Sequence, residues 1–268
     1  TSIGDVEAAW ARSTGFDAAA GAVTIIADAS GVIGKVLFGL GRPDSRRPAP
    51  LITGKLPMIL PQGDYEFVGD LPDPALGAVG WALGNYRFER YKTSSAPVPR
   101  LVVPRGADGA RARGMARAIT MVRDLINTPA SDLGPAELSA AIHTLGARFG
   151  ASVSEIVGRD LISANLPMIH AVGRAADADR EPRLVDLVWG DPSHPKVTLV
   201  GKGVTFDTGG LDITPSSGML LMKKDMGGAA NVLGLASMLM DAKADIRLRV
   251  LIPAVENSIA GNAFRPLD

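Results

Sequence analysis

The 268-residue chain contains no cysteine. That excludes a disulfide framework, a thiol nucleophile and every thiolate metal site, and it fits a reducing compartment. Histidine is scarce: His143, His170 and His194 are the only three, and their spacing matches no zinc pattern, so all three are expected to be structural. Net charge is absent as well, with 28 basic residues against 28 acidic ones. A neutral chain has no global field to draw it toward nucleic acid or anionic lipid. The densest local cluster of positive charge, Arg111, Arg113 and Arg117, reads as the solvated face of a helix. Apolar runs are short; the longest candidates, such as residues 232–240, fall below a membrane span. The opening TSIGDVEAAW lacks the basic and apolar regions of a signal peptide. These absences lead us to expect a cytoplasmic protein with neither membrane nor nucleic-acid partners.

Hydrophobic residues make up 46% of the sequence, enough to build one large or two ordinary domains without covalent staples. The first hundred residues mix element types. Residues 22–28 (AVTIIAD), 56–60 (LPMIL), 64–70 (DYEFVGD) and 100–104 (RLVVP) read as strands, 73–91 as a helix, and the proline-rich stretch 41–50 as a surface loop. A helix is expected over residues 107–127, ended by Asn127-Thr128-Pro129, because the residue before a proline avoids the helical region. We place a domain boundary near Gly106, dividing 1–105 from 106–268, with this helix opening the second domain as a connector. A further helix starts at Gly134-Pro135-Ala136-Glu137, where Pro at the first helical position and the following Glu are start signals.

From there the pattern alternates. Residues 151–157, 167–174, 183–190, 196–203 and 247–255 read as strands, 158–165 as a short helix and 226–241 as a longer one. Alternating strands and helices predict an α/β domain with helices on both faces of a sheet.

The chemistry concentrates in residues 201–230, GKGVTFDTGGLDITPSSGMLLMKKDMGGAA. Residues 196–203 deliver Lys202 to the C-terminal end of a strand, where ligands gather in open α/β sheets. Asp207 follows on a loop that Gly209 and Gly210 allow to turn tightly. Asp225 stands just before Gly227-Gly228 and a helix. The three side chains can meet at one point, and a divalent cation would relieve the repulsion between the two carboxylates. Each also has an ordinary reading: Asp225 as a helix N-cap, Asp207 as a turn aspartate, Lys202 as an exposed strand-end lysine. GKG is not a phosphate loop, because Gly203 follows the lysine and no glycine stands at the required distance upstream.

LVGKGVTFDTGG followed by LLMKKDMGGAA resembles the signature of the leucine aminopeptidase family, the di-metal cytosolic aminopeptidases. The segments GWALGNYRFERYK (80–92), RDLINTPASDLGPAEL (123–138), PMIHAVGR (167–174) and LIPAVENSIAGNAFRP (251–266) extend the likeness, which is weaker before residue 80. The resemblance implies an N-terminal α/β domain, a C-terminal catalytic domain with a mixed sheet between helices, a homohexamer, and hydrolysis of N-terminal residues from peptide substrates. It implies two divalent ions, manganese or zinc. Lys202 then resembles a ligand of one metal, Asp207 the ligand that bridges both, and Asp225 a second ligand of the lysine's metal. Met222 resembles a residue lining the pocket for the substrate's first side chain, against a plain reading as core packing.

Two departures stand out. The family places a transition-state lysine after its double glycine, and this sequence has Thr214 there. Losing one oxyanion donor costs on the order of 100- to 1000-fold in rate, unless Lys223 or Lys224, which otherwise face solvent, substitute for it. Asp212 lies near but matches no family ligand. The chain also stops at FRPLD, before the family's NTDAEGR-type segment with its further Asp, Glu and Arg, so we expect a longer polypeptide. A catalytically silent hexameric scaffold on the same fold is the alternative that these departures raise.

Overall fold

The computed structural model describes residues 3–42, 49–69 and 71–268. The chain divides into two units, Thr1–Arg87 with Ser94–Ala116, and Phe88–Thr93 with Arg117–Asp268.

The first unit opens with helix α1 (Asp5–Ser13) and an antiparallel hairpin of β1 (Val23–Ala27) and β2 (Ile33–Phe38). Residues 56–60, expected as a strand, form instead the end of a 3-10 helix, Ile52–Met58, and the turn that follows it. Leu56 and Leu60 face inward while Met58 and Ile59 are exposed, which is a helical spacing rather than an alternating one. Of 64–70, only β3 (Asp64–Tyr65) is strand; it pairs in parallel with β4 (Arg100–Leu101), and Asp70 lies outside the described residues. Most of the expected loop 41–50 lies outside them too.

Helix α2 (Pro74–Gly84) starts where Asp73 accepts the Leu76 N–H at 2.9 Å, an N-cap bond followed by Pro at the first position. It stops short of the expected residue 91. Trp81 Nε1 and Asn85 Nδ2 both donate to the Pro99 carbonyl, and the piece Phe88–Thr93 belongs to the second unit before the chain returns to the first at Ser94. Leu56, Leu60 and Trp81 form the centre of this unit's core, with Tyr65 and Phe67 against the indole.

In the second unit, α3 (Gly109–Asn127) enters from the first, and α4 (Pro135–Phe149) begins as its start signals predict: the Gly134 N–H donates to the Glu137 carboxylate at 2.9 Å. Next come β5 (Ser152–Val157), α5 (Asp160–Ser163) and α6 (Pro167–Gly173). Residues 167–174 were expected as a strand; Pro167 at the first helical position starts a helix instead, with Met168 and Val172 exposed. The chain continues through β6 (Arg183–Trp189), β7 (Lys196–Val200), β8 (Gly203–Asp207), α7 (Ser216–Met219), a 3-10 turn (Met222–Met226), α8 (Gly227–Asp241) and β9 (Arg247–Asn257).

These strands form one mixed sheet. β5, β6 and β9 run antiparallel in that order, and the long β9 pairs in parallel with β7 along its first half and with β8 along its second. Leu248, Val250, Ile252 and Ala254 alternate into a core shared with Leu138, Ile142 and Leu145 of α4 and Ala229, Leu233 and Met240 of α8. Burying aliphatic side chains at roughly 25 cal/mol per Å2 is what holds helices to the sheet.

Candidate metal centre

The break between β7 and β8 falls at Gly201-Lys202. The N-terminal turn of α8 seats on this break. The Ala229 N–H donates to the Lys202 carbonyl at 2.9 Å, and a Cβ on Gly201 would lie 2.7 Å from the Ala229 Cα. Two adjoining strands and a helix end thus fix the Lys202 backbone, and its side chain projects from the strand end.

Asp207 closes β8 rather than lying on the loop beyond it. Gly209 and Gly210 follow with φ of 83° and 70°, a left-handed pair that only glycine adopts without strain. That turn aims the Gly209 N–H back at Asp207 Oδ1, 2.8 Å away. The same oxygen accepts from Asn257 Nδ2 at 2.7 Å. Burial pushes the Asp207 carboxyl up, but the Gly209 N–H, the Asn257 amide, the nearby Asp225 carboxyl and the Lys202 charge outweigh it and hold it below the usual carboxylate value.

Asp225 sits in the 3-10 turn before α8 and does not cap that helix; Met226 occupies the N-cap and makes no side-chain cap bond. Lys202 Nζ lies 2.7 Å from Asp225 Oδ2 and 3.9 Å from Asp207 Oδ2. The three side chains therefore meet. The lysine is half-exposed, whereas the Asp225 side chain retains 17% of its exposure. Asp225 Oδ2 is a buried oxygen close to a charge and yet without an aligned hydrogen bond.

That orphaned oxygen and the donor set fit a divalent cation: two carboxylates for a hard ion and one amine able to ligate when neutral. The fit is partial. Among the described residues no group of three or more His, Cys, Asp or Glu side chains gathers, so further ligands have to come from elsewhere. His143, His170 and His194 take no part.

The remaining expected residues have clear placements. Thr214 is half-buried; its N–H donates to the Thr208 carbonyl at 2.8 Å, and its side chain lies between Gly209 and Gly218. Met222 opens the 3-10 turn, half-buried, with its Cε toward Gly218. Lys223, expected to face solvent or to replace the missing lysine, does neither. Its Nζ donates to the Ile126 and Asn127 carbonyls at 3.0 and 2.6 Å, at the C-terminal end of α3, and burial lowers its pKa. A cation on the last carbonyls of a helix is favourable. Lys224 and Asp212 are exposed. Arg111, Arg113 and Arg117 are exposed on α3, with Arg117 facing Asp241.

Sequence reasoning missed Asn257, which lies inside the quoted motif 251–266. Its signal is structural, because only the pairing of β8 with β9 brings it to Asp207. It also missed the buried Glu256 next door, clamped by Arg180 and by Arg265, the latter at 2.7 Å.

Comparison with known proteins gives consistent findings. The model for the cytosol aminopeptidase family, catalytic domain, matches residues 120–268, and that for the M17 aminopeptidase N-terminal domain matches residues 4–104. A probable cytosol aminopeptidase from Rhizobium meliloti (strain 1021) is 38% identical over 207 residues, covering 71% of this chain and 41% of that protein. One from Halorhodospira halophila (strain DSM 244 / SL1) is 41% identical over 199 residues, covering 68% and 40%. The chain thus spans well under half the length of these curated relatives. Among solved structures, the cytosol aminopeptidase from Coxiella burnetii aligns with a TM-score of 0.87 at 41% identity, over 99% of this chain and 57% of that one. The bottromycin maturation enzyme BotP in complex with Mn aligns with a TM-score of 0.83 at 31% identity, over 100% and 60%.

Proposed function

The chain belongs to the cytosol aminopeptidase family, and from that premise we propose that it works as a metal-dependent aminopeptidase, hydrolysing N-terminal residues from peptides. The observation that carries this reading is the meeting of Lys202, Asp207 and Asp225 around an unsatisfied buried oxygen. In the reading these three residues hold divalent cations, two in all, manganese or zinc; the Mn-bound relative supports a metal site of this kind. Such ions, when bound, act as Lewis acids toward a peptide carbonyl and supply a hydroxide-like nucleophile near neutral pH.

The side chains divide the remaining work. Asp207, whose hydrogen bonds and the Lys202 charge hold its carboxyl below the usual carboxylate value, presents Oδ2 as an anionic ligand near neutral pH. Lys202 must release a proton to become a ligand, so cation binding is coupled to proton release. Met222 lines the pocket for the substrate's first side chain. Thr214 offers a hydroxyl at the position where the family has a charged lysine, so the transition state is stabilised less. A hexameric assembly and a cytoplasmic location belong to the same reading, supported by the family; no helix among the described residues is long and apolar enough to cross a membrane. A boundary between 1–105 and 106–268 is supported by the family matches on either side of it.

Thr214 also favours the alternative of a catalytically silent scaffold. One experiment separates the two. The full gene product is assayed with leucine amide in the presence of manganese, and its metal content is measured by elemental analysis. Turnover with bound metal supports the enzyme; no turnover and no metal refutes it and leaves the scaffold.

A further inference from the structure

Asp207 and Asn257 face each other across the parallel pair β8–β9, and that pairing depends on an irregularity. Gly203 and Val204 pair with Ala254 and Val255, but Phe206 and Asp207 then pair with Glu256 and Asn257. Thr205 is therefore the extra residue of a bulge, its hydroxyl on the Val255 carbonyl at 3.2 Å. Without it, the register would set Asp207 opposite Ser258. Bulges re-aim side chains in this way.

The consequence lies in the last torsion of Asp207. A carboxylate rotates about that bond through broad wells, so one donor from a loop does not define its orientation. Here Oδ1 takes two donors, the Gly209 N–H and Asn257 Nδ2. A carboxylate only accepts, so the amide nitrogen of Asn257 must face it. With Oδ1 saturated, Oδ2 is the oxygen left toward Lys202.

Asn257 is itself firmly placed. Its carbonyl accepts the Thr208 N–H at 3.0 Å and the Thr208 hydroxyl at 2.8 Å. The preceding residue, Glu256, is only 3% exposed and is held by Arg180 and Arg265. We propose that Asn257 is a positioning residue that orients the Asp207 carboxylate for cation binding, with the Thr205 bulge bringing the two into register. The proposal rests on the metal-dependent reading above.

Calorimetric titration of the metal-free full gene product with manganese chloride tests it. Asn257→Leu keeps the shape and removes the donor; Asn257→Ser is a second variant whose hydroxyl is too short to reach, should the first fail to fold. Both are expected to weaken manganese binding by about 10- to 100-fold, as loss of a residue that orients a ligand does. Ser258→Ala removes the neighbouring bond from the Ser258 hydroxyl to the Ala260 carbonyl without touching Asp207, and is expected to lower Tm while leaving the affinity unchanged. Unchanged affinity in the Asn257 variants, or an equal loss in Ser258→Ala, overturns the proposal. A wild-type protein that binds no manganese overturns the metal reading instead. Metal-free crystal structures then judge the orientation directly: a carboxylate turned in Asn257→Leu supports the role, and one left unmoved overturns it.

Discussion

Asp225 Oδ2 lies 2.7 Å from Lys202 Nζ and is buried, yet the contact is an ion pair by distance and not a hydrogen bond by angle. In the proposed reading the ammonium stands where a cation would sit; its single charge offsets one of the two carboxylate charges and saturates neither group. On that reading the site is ready for exchange: an ion bound by the carboxylates would engage Asp225 Oδ2, which accepts no hydrogen bond.

A first prediction follows from that exchange. Manganese should raise the Tm of the protein, by an amount equivalent to about 2.7 kcal/mol at a hundredfold excess over Kd. Asp225→Asn should lose most of this rise. Its metal-free stability should change by no more than about 1 kcal/mol, because the lysine partner is half-exposed and screened by solvent. Differential scanning calorimetry with and without manganese measures both quantities. An undiminished rise in the variant would remove Asp225 from the site.

The pH dependence of stability has a definite sign. The folded Asp207 carboxyl is held below its usual value, largely against the cost of burial, by its hydrogen bonds and Lys202. The unfolded chain therefore takes up the proton first. The stabilisation is fully present above the unfolded pKa, about 3.9, and is lost as pH falls through the folded value. Urea unfolding of the metal-free protein should show Asp207→Asn less stable than wild type near neutrality, with the difference closing in acid. A difference that stays constant from neutrality into acid would contradict the assignment.

How much of this was legible in the sequence depends on how local each cause is. The start of α4 was legible because Pro135 and Glu137 lie within one turn of it. That the side chains of Lys202, Asp207 and Asp225 meet was expected from the glycine bends near them together with the likeness of the stretch to the family signature. The helix at 167–173 was misread because its apolar run suits either element, although Pro167 carried the correct signal. Asn257 was invisible because its link to Asp207 spans 50 residues and turns on a bulge at Thr205 that no local pattern announces. Lys223 was misplaced for the same kind of reason: its carbonyl partners lie 96 and 97 residues away.

Lys223 leads to a third prediction. Its ammonium satisfies two carbonyls at the end of α3 from a position two residues before Asp225. Lys223→Met should remove the donor shared by those two carbonyls and destabilise the fold by about 1–3 kcal/mol. Because the 3-10 turn carries Asp225, manganese affinity should fall as well. Chemical denaturation and calorimetric titration of the same variant check the two effects. A fold of unchanged stability would mean that the contact with α3 contributes nothing.

The last prediction concerns Thr214. Its backbone N–H is tied to the Thr208 carbonyl, and its side chain lies between two glycines, Gly209 and Gly218. A longer side chain at this position meets no Cβ from either neighbour, and the loop's backbone bond survives the change. Thr214→Lys should therefore fold normally and extend an ammonium from the loop that follows Asp207. If the oxyanion forms within its reach, kcat should rise by about 100- to 1000-fold. KM should change far less, because a charge used only in the transition state does not strengthen ground-state binding. Steady-state kinetics on leucine amide with saturating manganese reads both numbers. A gain confined to KM would place the new charge on the substrate rather than on the reacting carbonyl. No gain at all in a protein shown to hold its metal would mean that the threonine is not what limits the rate.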